Sequence, residues 1–310
     1  MKSILKKLLL GVVHQQEYIC AQAGGVHGEL NCFALVNGNK IPVTDELLFL
    51  GYRPLIMGWI TEKFENKELV LLFERKDNGK LIASLRLHIE QKFPLEEKTL
   101  FLFKGISSMQ KFESGFHRFM FSWYERFRTK KPGNIDLDPE LYNQVKIAYS
   151  IPREIKLVTL GKENAWNVFP TDLHGRAGNK AYIISLRNDK KACRQVMETG
   201  KLALWSVSAD HAAEVYALGK NHSSDLSPAE NHSFTGNKSD TFHFPEPTGA
   251  INCEELELQN TLGDIGIHRI LLFKSISGNS PDAPQRLMHL HRSYLQWHIK
   301  NGFPFSEAKR

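Results

Sequence analysis

Residues 185–191, Ser-Leu-Arg-Asn-Asp-Lys-Lys, place three cations, Arg187, Lys190 and Lys191, at the opening of a segment with helical spacing. Ala192, Cys193, Val196 and Met197 fall along one face of it, Asn188 is a suitable N-cap and Gly200 a suitable stop. A helix start offers unpaired backbone N–H groups and the positive end of the helix dipole, so with flanking cations it can hold an anion such as a phosphate ester. Lys and Arg in a first turn oppose the dipole and cost about a few tenths of a kcal/mol each when no anion is present. The same run also reads as a solvated basic face, and the residues alone leave these two readings level.

Other chemistries lack a candidate signature. There is no G-x-G-x-x-G, Walker A, G-x-S-x-G or H-E-x-x-H segment. Cys20, Cys32, Cys193 and Cys253 form no C-x-x-C pair and no Cys/His ligand spacing, which predicts a reduced, cytoplasmic setting and no metal. His289 and His291, on an expected helix, would face apart and hold no metal, with His291 and Trp297 packing that helix. The net charge of +6 is diffuse, with an excess of four cations in residues 1–150 and two beyond. Nucleic-acid binders concentrate their charge, so a nucleic-acid partner is not expected. The run Arg126, Arg128, Lys130, Lys131 before Pro132-Gly133 suits a helix C-terminus.

The elements that must position the cation cluster are legible around it. Ile155–Leu160, Ala181–Leu186, Leu202–Val207, Glu254–Gln259 and Arg269–Phe273 read as strands, and Trp166–Gly175, with Pro170, as an edge or loop. Ser208 caps a short helix to about Leu218. Asn221–Thr241 is a long polar loop whose three N-x-S sequons, at Asn221, Asn231 and Asn237, carry no weight, and Pro284–Ile299 a terminal helix. Earlier, strands are expected at Phe33–Val36, Leu55–Ile60, Leu69–Glu74, Leu81–His88 and Thr99–Phe103, then a helix from about Met109 to Arg128. The opening MKSILKKLLLGVV has too short an apolar run for a secretory signal and reads as a first helix; no run is long enough to span a membrane. The fold class is mainly β, barrel-like with flanking helices.

The chain carries an internal echo. Leu102-Phe-Lys-Gly-Ile-Ser107 matches Leu272-Phe-Lys-Ser-Ile-Ser277, His117-Arg118 then Trp123 matches His291-Arg292 then Trp297, and Ala83-Ser-Leu-Arg86 loosely matches Ile184-Ser-Leu-Arg187. The shared order predicts a duplication, with residues 1–150 a degenerate copy of residues 151–310.

The second half resembles the flavin reductase-like family of FMN-binding split β-barrels, the flavoredoxin and NAD(P)H:flavin oxidoreductase group, over about 151–300. The resemblance rests on Ile151-Pro-Arg153 with Leu157-Val-Thr159, the Asn-x-x-Pro-Thr segment from Asn167 to Asp172, and Ser185-Leu-Arg187 with the helix to Glu198-Thr-Gly200. It also rests on Ser208–Glu214 and on Cys253 with Gly263-Asp264 and His268. Ala192, where many members have Thr, and Asp172-Leu173-His174 depart from the pattern. The resemblance implies FMN as cofactor, with Arg187, Lys190 and Lys191 at its phosphate and Asn167, Thr171, Asp172, Leu173, His174 and Ser185 along its ribityl chain and ring. It makes His174 a weak candidate proton donor, although Thr171-Asp172 alone would also serve as a turn and His174 as a solvated loop residue. It further implies NADH or NADPH as reductant and a flavin site at a homodimer interface, or within one chain as a pseudo-dimer. The alternative is a cofactor-binding module of the same fold without turnover.

Overall fold

The computed structural model describes residues 18–22, 30–111, 115–116, 119–120, 137–162, 166–219, 234–277, 286–291 and 294. The expected first helix, the expected helix beyond residue 120, the His117-Arg118 and Trp123 echo, the basic run at 126–131 and all three sequon asparagines except Asn237 lie outside them.

Strand β1 (Tyr18–Gln22) is followed by β2 (Leu30–Val36), β3 (Asn39–Pro42), β4 (Leu47–Tyr52), β5 (Leu55–Thr61), β6 (Glu68–Arg75), β7 (Leu81–Pro94) and β8 (Thr99–Gln110), then by helix α1 (Pro139–Ala148). The second half continues with β9 (Arg153–Glu154), β10 (Lys156–Leu160), β11 (Asn167–Thr171), β12 (His174–Arg176), β13 (Ala181–Arg187), α2 (Lys191–Thr199), β14 (Lys201–Val207) and α3 (Ala212–Gly219). It ends with β15 (Phe234–Lys238), β16 (Pro245–Pro247), β17 (Ala250–Ile265), β18 (His268–Ser277) and β19 (Leu287–His291). The molecule is mainly β, as expected, and its curled antiparallel sheets fit a split β-barrel.

The two large sheets have the same plan. One runs β3-β2-β6-β7-β8-β5-β4 and the other β11-β10-β14-β17-β18-β13-β12, so the seven strands of each take the same places in the same chain order. The agreement extends to irregularities. β7 bulges between Ile89 and Gln91, opposite Phe103 and Leu102, and β17 bulges between Leu258 and Asn260, opposite Phe273 and Leu272. A second shift lies between Arg86 and Leu87 opposite Ser107 and Gly105, and again between Glu255 and Leu256 opposite Ser277 and Ser275. Bulges re-aim strands and tend to be kept as features of a fold, so two in the same register are a stringent match. The Leu-Phe-Lys echo thus falls on strands of one kind. The Ala83–Arg86 echo does not: it lies on β7, whose counterpart is β17, whereas Ile184–Arg187 lies on β13.

Three expectations are corrected. Met109 and Gln110 extend β8, pairing with Ser84 and Ala83, instead of starting a helix. Leu287–His291 is a strand because β1 and β9 flank it and satisfy its backbone on both sides, an outcome that side-chain periodicity does not encode. The polar stretch to Thr241 contains β15, which pairs with β16. Helix α1 was not expected, although Asp138-Pro139 signals it: the Asp138 carboxylate accepts from the N–H groups of Glu140 and Leu141 at 3.0 and 2.9 Å, and Pro139 opens the first turn.

The halves share apolar interior. Leu48, Leu50, Ile56, Leu100 and Leu102 of the first sheet pack with Ala177, Ile183, Leu262, Ile265 and Ile270 of the second, and Leu173 and Leu290 are buried in the first half's core. The β4–β5 turn presses on the β17–β18 turn at Gly266, whose φ is +59° and where a Cβ would stand 2.4 Å from Pro54 Cδ and 2.5 Å from the Arg53 carbonyl oxygen. Gly266→Ala is therefore expected to cost about 2 to 4 kcal/mol in urea unfolding, and Gly38→Ala, at φ +82° in open space, about 1. Equal losses would show that the two turns do not meet.

Candidate functional site

The expected site residues divide between the seam and the start of α2. β12 and β13 are antiparallel neighbours with His174 opposite Ile184, and the Ser185 N–H donates to the Leu173 carbonyl at 2.9 Å. Asp172, Leu173, His174, Ser185 and Arg187 therefore line one margin of the second sheet, where β12 and β13 pack on β4, while Thr171 ends β11 opposite Lys156 at the other edge of the strand order. Asn167 lies apart on the flank of α2, its Nδ2 donating to Gln195 Oε1 at 3.2 Å.

Asp172 closes the seam. Its Oδ2 accepts from the Tyr149 hydroxyl at 2.7 Å and from His289 Nδ1 at 2.6 Å, and these bonds hold the carboxyl below the usual range against the opposing effect of burial. The buried Arg153 faces it electrostatically, donating to the Leu47 carbonyl at 3.1 Å and the Ala148 carbonyl at 3.4 Å. His289 and His291 were expected on a helix; as alternate residues of β19 they lie on one strand, His289 bonding Asp172 and the buried His291 contacting the Tyr142 hydroxyl at 3.3 Å. Thr171 Oγ1 accepts from the Leu173 N–H at 3.2 Å, the turn-forming role open to that pair.

His174 is not placed to give a proton. A carbonyl only accepts, so the 3.1 Å contact with the Glu154 carbonyl fixes the proton on Nε2, and Nδ1 accepts from the Tyr182 hydroxyl at 2.8 Å. Burial first, then Lys156, lowers its pKa to about 4. His268 is held the same way: Nε2 accepts from the Tyr52 N–H at 3.2 Å, so Nδ1 donates to Ser185 Oγ at 3.3 Å, and burial lowers its pKa to about 4.

At the start of α2 the N-cap is Lys190 and makes no side-chain capping bond, and the first turn holds no acidic residue. Asn188, expected as the cap, instead donates to the Gly266 carbonyl at 3.3 Å and to Asp264 at 3.4 Å, drawn away by the β17–β18 turn. Asp189 takes Arg187 in a two-point pair at 3.1 and 2.9 Å and lies 3.7 Å from Lys190, while Lys191 is exposed. Met197, placed on the apolar face, is 43% exposed, whereas Cys193 and Val196 are buried.

FMN fits this arrangement at one end. The helix start lacks the side-chain acceptor that usually satisfies it, three cations surround it, and the buried Asn167 Oδ1 beside α2 has no donor among the described residues. Of the residues expected along the ring, Asp172 and His174 have side chains committed to internal partners, and Leu173 is buried. Residues that sequence reasoning missed are Tyr52, which reaches the site from the first half, and Tyr149 and His289; only the placement of β4, α1 and β19 brings them in. A surface crevice lined by Trp205, Asp240, Glu246, Cys253 and Glu255 lies elsewhere, against the β15–β16 hairpin. Among the described residues no His, Cys, Asp and Glu cluster could hold a metal, and no helix is long and apolar enough to cross a membrane.

Fold and site together define a two-sheet split-barrel protein with an uncapped, cation-lined helix start. No family model and no curated protein matches the chain. Among solved structures it is similar to the NADH:FAD oxidoreductase SgcE6 of Streptomyces globisporus C-1027, at 13% identity and a TM-score of 0.42 over 53% of this chain and 96% of that one. It is also similar to BorF, the flavin reductase component of a bacterial two-component tryptophan halogenase, at 15% identity and 0.41 over 48% and 98%. A third is an FMN-binding protein from Thermus thermophilus, at 15% identity and 0.36 over 41% and 70%. Likenesses this thin leave those proteins' activities with them.

Proposed function

We propose that the chain is a flavin-binding protein of the flavin reductase type, holding FMN by its phosphate at the start of α2 and accepting hydride from NADH or NADPH. The observation that carries this reading is the uncapped start of α2 among Arg187, Lys190 and Lys191. When bound, the flavin would supply the redox chemistry; Arg187 and Lys190 would bind and orient its phosphate, and the β12–β13 margin would form a wall beside it. We read residues 1–150 and 151–310 as two copies of one ancestral unit, so that the first stands where a second subunit would. The common strand order and bulges support this, as does Asn39-Lys-Ile-Pro42, whose Pro42 lies opposite Phe33 as Pro170 of Asn167-Val-Phe-Pro170 lies opposite Leu157.

A second reading, a binding module without turnover, is favoured by the committed state of Asp172 and His174. Visible spectroscopy separates the two: FMN bands that bleach anaerobically with NADH or NADPH indicate the reductase, and bands that persist indicate the module. The phosphate assignment is tested by Lys190→Ala with Lys191→Ala, expected to weaken FMN about tenfold and riboflavin less than about twofold. Equal weakening would place the phosphate elsewhere.

A further inference from the structure

The two sheets agree strand for strand, but between β14 and β17 the chain spends residues 208–249, where between their counterparts β6 and β7 it spends only 76–80. Part of that addition, the β15–β16 hairpin, stands over β14 and β17 and leaves a crevice of about 190 Å³ beneath it. Glu255 pins the roof down. Its fully buried carboxylate accepts from Ser239 Oγ at 2.6 Å, the Thr241 N–H at 2.8 Å, the Phe242 N–H and the Ser277 hydroxyl, which together use its four lone-pair positions. The crevice is thus built by the fold, and three groups lining it are unspent. Trp205, 3% exposed, keeps an indole N–H with no acceptor among the described residues, a donor that burial makes costly to leave alone. Asp240 makes no hydrogen bond or ion pair among the described residues, and Glu246 gives one carboxylate oxygen to the Thr235 hydroxyl at 3.0 Å and keeps the other.

We propose that this crevice binds a small molecule carrying a primary ammonium next to a neutral oxygen acceptor, the chemistry of an amino acid amide. The ammonium is held by Asp240 and Glu246, and the oxygen accepts from Trp205 Nε1. Lys238 is the one cation among the described lining residues, against three carboxylates. Cys253, opposite Trp205 in the ladder, registers that field: burial first, then Glu255, Asp240, Glu246 and Glu254, push its thiol up and keep it neutral. A free amino acid would bring a carboxylate that these acids repel, and a quaternary ammonium, which has no N–H to give them, needs a cage of several rings. The room is that of about six waters, too little for a flavin. The crevice also lies at the open end of the β17–β18 ladder, where Glu255 pairs with Ser277, roughly 30 Å along the strands from the turn beside the start of α2. The site therefore stands or falls apart from the flavin reading.

The test is calorimetric titration of the full-length protein with glycinamide, acetamide and glycine. Glycinamide should saturate one site per chain in the millimolar range, the reach of a ligand this small, with acetamide and glycine each at least about tenfold weaker. Asp240→Asn, a change at an exposed side chain, should weaken glycinamide about fivefold and leave the urea midpoint where it is. In proton–nitrogen correlation spectra the assigned Trp205 indole N–H should move downfield as glycinamide is added. Absence of saturable binding, equal affinity for glycinamide and acetamide, an Asp240→Asn variant that binds as wild type does, or an indole resonance that stays in place would each overturn the proposal.

Discussion

Replacing Asp172 by alanine lowers the unfolding free energy by about 3 to 5 kcal/mol, the range for removing one partner of a buried ionic group. Asp172 accepts from both Tyr149 and His289 and is the carboxylate that faces the buried Arg153. Without it two donors lose this acceptor and the buried Arg153 loses a nearby negative charge, while a cavity opens between Tyr149 of the first half's core and β19. Asp172→Asn keeps the volume and an acceptor and should cost about half as much. Thr235→Ala, which removes an exposed hydroxyl bonded to Glu246, should lie within about 0.5 kcal/mol of wild type in the same urea titration. A loss below about 1 kcal/mol for Asp172→Ala would mean that the seam is not held by this carboxylate.

Acid should destabilise the protein in two stages. His174 and His268 both have folded pKa values of about 4 against an ordinary 6.5, so below pH 6.5 the unfolded chain takes up protons that the folded chain refuses. Stability then falls as pH drops from about 6.5 to 4, by about 2 to 3 kcal/mol per histidine after allowance for partial exposure. Glu255 acts next. Burial would raise its pKa, but Ser239 Oγ at 2.6 Å, the Ser277 hydroxyl and the N–H groups of Phe242 and Thr241 together bring it to about 2. A depressed carboxyl stabilises above its unfolded value of 4.5, and that contribution of about 2 to 3 kcal/mol disappears as pH falls from 4.5 through 2. Urea midpoints measured every half pH unit should show the first decline beginning near 6.5. The variants His268→Asn and His174→Gln should each flatten it; a plateau down to about pH 4.5 in the wild type would contradict the neutral state of both rings.

The sequence was most legible where local and tertiary preferences agree. β10, β13, β14 and β18 are apolar, β-branched runs ended by turn residues, and they stand within a residue or two of their expected bounds at one end or both. Leu102-Phe-Lys and Leu272-Phe-Lys match truly, because the same two residues face the same bulge in each sheet. The Ala83–Arg86 match failed because Ser-Leu-Arg is common on any strand edge and says nothing about register. Asn39-Lys-Ile-Pro42 went unmatched for the converse reason, since only the pairing of Pro42 with Phe33 shows its counterpart. At the site, the cations were visible as a charge run, whereas Asp189 as their partner and Tyr52 as their neighbour depend on how the chain folds back around Arg187. His174 looked like a loop histidine and became a half-buried neutral one, a change made by the Tyr182 hydroxyl and the Glu154 carbonyl that no spacing announces.

The seam core of Leu48, Leu50 and Ile56 against Ile183, Ile265 and Ile270 is made within one chain. Two separate subunits would lose such an interface on dilution, and with it any pocket it shapes; tethered halves meet at an effective concentration set by their linkage instead. On the proposed reading, flavin affinity measured at nanomolar protein should therefore equal that measured at micromolar.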